Sequence, residues 1–157
     1  RALKFITSVL RADHGICAVD DDGHLLGVVG FKTSKGALVN GSFKDLQSAY
    51  GWVGATIRLA ILASLERDIE NARFVMDGLF VAPAARNQGV GTALLDAISA
   101  EARRRGYAQV RLDVIDSNPR ARALYLKEGF KELGTSKLGV LRFAFNFRAA
   151  TTMVRDV

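Results

Sequence analysis

Apolar positions change their period several times along the chain, and each change marks an element. Leu3, Ile6, Val9 and Leu10 recur at helical spacing, which predicts a short helix over Arg1–Arg11. Two β-branched runs, Ile16–Val19 and Leu25–Phe31, flank Asp20-Asp21-Asp22-Gly23, the composition of a hairpin and its turn. Cys17 is then expected as a buried strand residue. Residues 34–43, rich in Ser, Gly and Asn, lead into Leu46–Leu65, a stretch apolar nearly all round that must be covered if helical.

The second half is more regular. Phe74–Val81 reads as a strand stopped by Pro83, which cannot continue a central ladder. From Val90 the residues Ala93, Leu94, Ala97, Ile98 and Ala102 form a helical stripe, with Asp96, Ser99, Glu101 and Arg103 facing out and Gly106 as the stop. Val110–Ile115 is a strand, and Asn118-Pro119 opens a short helix as N-cap and first-turn proline, closed by Gly129. Strand, helix, strand of this length implies a parallel pair joined by a right-handed crossover. Phe130–Leu133 and Ala150–Val157 supply two more strands. The expected class is mixed α/β, a central mixed sheet with flanking helices, in one domain spanning residues 1–157.

Composition narrows the chemistry. A single cysteine and only two histidines exclude an internal disulfide and a zinc cluster, so no metal is expected and a reducing compartment is the natural setting. The chain begins at Arg1 without an initiator methionine, which suggests a fragment. It lacks a charged-then-apolar leader, which leaves the cytoplasm as the expected location. Arg58 splits the apolar stretch into runs well short of the roughly 20 residues that span a bilayer, so no membrane association is expected. The net charge of +6 invites a nucleic-acid reading. The one basic run, Arg103-Arg104-Arg105, ends a helix whose dipole it complements, and no aromatic residues interleave with it. An anionic small molecule accounts for the excess charge as well, and no nucleic acid is expected.

One stretch asks for such a ligand. In Arg86-Asn87-Gln88-Gly89-Val90-Gly91 two glycines stand where a polar turn becomes a helix, and a helix N-terminus presents unpaired amides and a positive dipole end to an anion. A P-loop would need Lys followed by Ser or Thr after its last glycine, but Thr92-Ala93 follows Gly91. The dinucleotide fingerprint would need a third glycine where Leu94 stands.

The pattern Arg-x-x-Gly-x-Gly remains. The run LFVAPAARNQGVGTALLDAI followed by RLDVIDSNPRARALYLKEGF closely resembles the acetyl-CoA-binding core of the GCN5-related N-acetyltransferases, strongly over residues 74–133. The resemblance implies an enzyme that transfers acetyl from acetyl-CoA to a primary amine, carried by a small molecule or a peptide, by direct attack on the thioester. It implies that Arg86, Asn87, Gln88, Gly89, Val90, Gly91 and Thr92 wrap the CoA pyrophosphate. Leu79, Phe80 and Val81 would lie on a bulged strand whose backbone amide meets the acetyl carbonyl, and Gly78 suits a bulge. Asn118 would contact CoA near the sulfur arm while also capping its helix. The alternative from another class is an acyl-CoA-binding sensor that does not turn over.

The reaction poses two proton problems. An amine of pKa near 10.4 must lose its proton at pH 7, at ~4–5 kcal/mol, and a thiolate must leave. By resemblance Tyr125 protonates the departing sulfur, a role that competes with simple core packing. Two carboxylates compete as base. Asp113 and Asp77 both stand in otherwise apolar strands, where burial would raise their pKa, and each has the alternative of pairing with an arginine, Arg111 or Arg73.

Two departures from the family pattern stand out. Its first strand and helix have no counterpart before Arg1, and residues 34–72 insert an apolar helix between the family's third and fourth strands. That helix and the run Val140–Phe147 are expected to pack together, walling the amine pocket or forming a homodimer face.

Overall fold

The computed structural model describes residues 12–33, 36–37, 73–137 and 148–157. The helix read over Arg1–Arg11, the apolar helix Leu46–Leu65 and its packing against Val140–Phe147 lie outside the described residues.

Among the described residues seven strands form one sheet: β1 (Gly15–Val19), β2 (Leu25–Thr33), β3 (Gly36–Ala37), β4 (Phe74–Val81), β5 (Gln109–Ile115), β6 (Lys131–Lys137) and β7 (Ala149–Asp156). Their order is β1-β2-β4-β5-β7-β6, with β3 paired to β2. Helix α1 (Val90–Arg104) follows β4, and α2 (Pro119–Lys127) follows β5. Among the described residues only β4 and β5 pair in parallel, as their connection through α1 requires.

Local chemistry accounts for the joints. In the β1–β2 turn the Asp20 carboxylate accepts from the backbone N–H of Asp22 at 3.1 Å and of His24 at 2.8 Å, and Gly23 takes φ of 83°. Asn118 caps α2, its Oδ1 accepting from Ala121 N at 3.2 Å ahead of Pro119. Both helices end before a left-handed glycine, Gly106 at φ 82° and Gly129 at φ 84°.

The core lies between the sheet and α1. Val29 and Phe31, Phe74 and Met76, Val110 and Leu112, and Met153 meet Leu94, Leu95, Ile98 and Ala102. Burial of each large side chain stabilises the fold by roughly 1.5–3 kcal/mol. A Cβ on Gly27 would lie 2.7 Å from the Phe80 carbonyl oxygen and 3.0 Å from Leu94 Cδ1, so that glycine lets β2, β4 and α1 close together.

Two expectations are corrected here. Cys17 is exposed, because its neighbours Ile16 and Ala18 pack on the core and the alternation of β1 turns Cys17 to the other face. The buried face of α1 is rotated from the expected stripe: Leu95 and Ser99 are inside and Ala93 is exposed. Ser99, at 1% exposure, is buried because Arg155 arrives from β7 and donates to its hydroxyl.

Candidate active site

The register of β4 shifts once. Gly30 pairs with Gly78 and Phe31 with Met76, leaving Asp77 as the extra residue of a bulge. The bulge reverses the alternation. Phe74 and Met76 face α1 before it, and Leu79 and Val81 pack on the same core after it, while Phe80 is 58% exposed. Its ring lies over Gly78, where a Cβ would stand 2.8 Å from Phe80 Cε2. Beside the bulge, β4 parts from β5: their pairing is confined to Phe74 with Val110 and Val75 with Arg111. The stretch Leu79–Val81 therefore borders an opening within the sheet.

The glycine loop stands at the end of that stretch. Pro83–Ala85 form a 3₁₀ turn that seats Ala85 in the interior. Two side chains fold back on this turn, Arg86 Nε donating to the Val81 carbonyl at 3.3 Å and Gln88 Nε2 to the Ala84 carbonyl at 2.8 Å. Asn87 has φ of 61° and Gly89 of 81°, both left-handed. Left-handed residues interleaved with ordinary ones turn consecutive N–H groups to one side, the geometry of an anion nest. The first backbone bond of α1 is Ala93 N to Gly89 O at 3.0 Å, so the N–H groups of Val90, Gly91 and Thr92 precede the helix ladder. These donors at the positive end of a 15-residue helix suit a diphosphate.

Helix α2 lies beside this loop. A Cβ on Gly91 would stand 3.0 Å from Leu124 Cδ2, so Gly91 serves close helix packing as well as the turn. Thr92 Oγ1 donates to Glu128 Oε1 at 2.8 Å, which commits its side chain to α2 and leaves its amide to a ligand. Tyr125, one turn before Glu128, is buried against Phe130 with ring centroids 5.8 Å apart. Its hydroxyl has no hydrogen-bond partner among the described residues, and burial raises the phenol above its ordinary 10.0. It therefore holds a proton at neutral pH. Asn118, exposed at the start of α2, has one side-chain oxygen engaged in the cap.

The two candidate carboxylates differ in setting. Asp113 is not buried: its side chain is 46% exposed, because β5 turns Val110, Leu112 and Val114 toward α1 and Asp113 to the other face. It accepts from Thr152 Oγ1 and lies 3.6 Å from Arg111, the arginine pairing that competed with a catalytic role. Asp77 is 16% exposed and pairs with Lys32 at 3.5 Å, while Arg73 donates to Gln109 instead.

Glu128 and Arg155 went unread in the sequence. Glu128 carried one local signal, a charged residue between a helix end and its stop glycine. Arg155 carried none, since its partners Glu128 and Leu95 are 27 and 60 residues away.

Comparison with known proteins gives the family and the fold. Residues 2–130 match the model of the acetyltransferase (GNAT) family. Over 74 residues the chain is 35% identical to thialysine N-epsilon-acetyltransferase of Mus musculus, a match covering 47% of this chain and 43% of that protein. The chain thus spans less than half of this curated relative. The crystal structure of nourseothricin acetyltransferase superposes with a TM-score of 0.61 at 25% identity, covering 90% of this chain and 64% of that one. A structure described as a streptothricin acetyltransferase of Bacillus anthracis str. Ames, in complex with acetyl coenzyme A, shares the fold at 14% identity and a TM-score of 0.63, covering 97% and 68%. With its bulged β4, its donor loop and its family match over most of its length, the chain belongs to the acetyltransferase (GNAT) family.

Proposed function

We propose that the chain, acting as one domain, transfers acetyl from acetyl-CoA to a primary amine by direct attack on the thioester. The observation that carries this reading is the run of N–H donors from Asn87 to Thr92, placed directly after a strand that parts from its parallel neighbour. The donors hold the pyrophosphate, and the opening between β4 and β5 takes the pantetheine arm and the thioester. A backbone amide of Leu79–Val81 polarises the acetyl carbonyl and stabilises the oxyanion as the amine adds. Tyr125 gives its phenolic proton to the departing thiolate. Asp77 or Asp113, through a water, takes the proton from the amine. Asn118 steadies the sulfur arm from the start of α2.

An amine acceptor is supported by the name of the mouse relative, which specifies an N-epsilon position. No described helix is long and apolar enough to cross a membrane, which accords with a proposed cytoplasmic setting. The test is thiol release from acetyl-CoA against a panel of amines: peptide N-termini, lysines, polyamines, aminoglycosides and amino acids. Turnover with one class supports the reading. Tight acetyl-CoA binding with no turnover on any amine would identify a sensor instead.

A further inference from the structure

We infer that Glu128 is a positioning residue, which locks α2, and with it Tyr125, against the cofactor loop. The inference rests on the reading of Tyr125 as proton donor. Glu128 is held at both ends. Its side chain accepts from Thr92 Oγ1 at 2.8 Å, on the first turn of α1. Its backbone carbonyl accepts from Arg155 Nη1 at 3.0 Å. Arg155 in turn reaches α1 through Nη2, which donates to the Leu95 carbonyl at 2.9 Å and to the Ser99 hydroxyl. One residue at the end of α2 is thereby joined to α1 at two points a turn apart, near Thr92 and near Leu95.

The same joint reaches Tyr125 by a short path. Glu128 N donates to the Leu124 carbonyl at 2.9 Å, closing the turn that contains Tyr125, and Phe130 N donates to the Tyr125 carbonyl at 2.9 Å. The Arg155 guanidinium lies 5.3 Å from the centre of the Phe130 ring, which packs on Tyr125. The phenol itself has no hydrogen bond among the described residues to orient it. Its aim is set by its packing against Phe130 and by the placement of α2, and Thr92, Glu128 and Arg155 tie α2 to the donor loop by hydrogen bonds where Gly91 and Leu124 meet only by packing. Proton delivery to a leaving sulfur is sensitive to such placement, since misplacement by about 1 Å can cost on the order of 10²-fold in rate.

The test compares Thr92→Val, Glu128→Ala and Glu128→Gln, each alone and combined with Tyr125→Phe, by turnover on an amine found to be a substrate and by acetyl-CoA affinity. Thr92→Val keeps the side-chain shape, and a denaturation midpoint verifies that each variant is folded. Thr92→Val and Glu128→Ala are expected to lower kcat about 10-fold while acetyl-CoA Kd changes less than about 3-fold. Glu128→Gln, which retains the accepting oxygen, is expected to restore most of the rate. Over Tyr125→Phe neither change should lower kcat further, because residues acting through one group are not additive. Parental kcat in folded Thr92→Val and Glu128→Ala, beside an impaired Tyr125→Phe, overturns the positioning role and leaves the Tyr125 assignment standing. Losses that multiply with Tyr125→Phe also overturn it. A loss confined to acetyl-CoA affinity would make the Thr92 side chain, like its amide, a cofactor ligand rather than a link. An unimpaired Tyr125→Phe removes the underlying reading, and this inference with it.

Discussion

The position a Cβ would take on Gly91 is 3.0 Å from Leu124 Cδ2, whereas the corresponding position on Gly89 meets nothing within 4 Å. The two glycines of one motif therefore do different work. Gly91→Val is expected to destabilise the fold by about 1–3 kcal/mol through overpacking between α1 and α2, read by denaturant unfolding. Gly89→Val places side-chain atoms beside the N–H donors and strains a φ of 81°. It is expected to abolish acetyl-CoA binding in calorimetry while the protein stays folded. Parental affinity in folded Gly89→Val would refute the loop as the pyrophosphate site.

Tyr125→Phe is expected to lower kcat by roughly 10²-fold or more with little change in acetyl-CoA affinity. Burial raises the phenol, so a donor at this position stays protonated up to and beyond its ordinary 10.0. The rate on a confirmed amine should hold into the alkaline range and fall only as Tyr125 ionises, and the variant should lack that fall. A parental rate in Tyr125→Phe would reduce the residue to packing.

Much of this was legible because local rules decide it. Gly106 and Gly129 stop their helices, Asn118 caps, Asp20–Gly23 turn, and the alternation of β5 appears directly in its residues. The bulge was expected only from the family resemblance, with Gly78 suited to it, and the extra residue is Asp77. What escaped depends on partners distant in the chain. Ser99 is polar and reads as exposed on a helical wheel, but a guanidinium from β7 comes to it across 56 residues and satisfies it inside. Cys17 reads as buried by composition, yet it is exposed because α1 covers the face of β1 that carries Ile16 and Ala18, and which face a helix covers is not written in the strand itself. Asp113 stands in an apolar strand, but alternation alone puts it on the face away from α1.

The carboxylates are separable by pH–rate profile. Asp77, paired with Lys32, adjoins the Leu79–Val81 stretch through the bulge, whereas Asp113 stands on the face of β5 turned away from α1, between Thr152 and Arg111. Asp77→Asn is therefore expected to remove the acidic limb of the profile and Asp113→Asn to retain it. The reverse result would reassign the base to Asp113. If both profiles keep the limb, deprotonation belongs to water or to the amine itself.

Glu101 accepts from Arg104 Nε and Nη2, both at 2.7 Å, and from Arg105 Nε at 2.6 Å. Hydrogen bonding from Arg104, against a lesser opposing effect of desolvation, lowers its carboxyl from 4.5 to about 2. A lowered carboxylate stabilises the fold above its unfolded value, and that contribution is lost as pH falls through the folded value. Between about pH 5 and pH 2 the parent should lose more stability than Glu101→Gln, as measured by thermal unfolding. Equal losses in the two proteins would contradict the pairing.

The most direct test is a single-turnover mixture of protein with acetyl-CoA, with free thiol and acetylated amine measured in parallel, first without and then with an accepted amine. Direct transfer predicts no thiol release without the amine, and on its addition equal amounts of thiol and acetylated amine. Thiol released without amine in proportion to protein would contradict direct attack, and bound acetyl-CoA that yields no thiol with any amine would contradict the transferase itself.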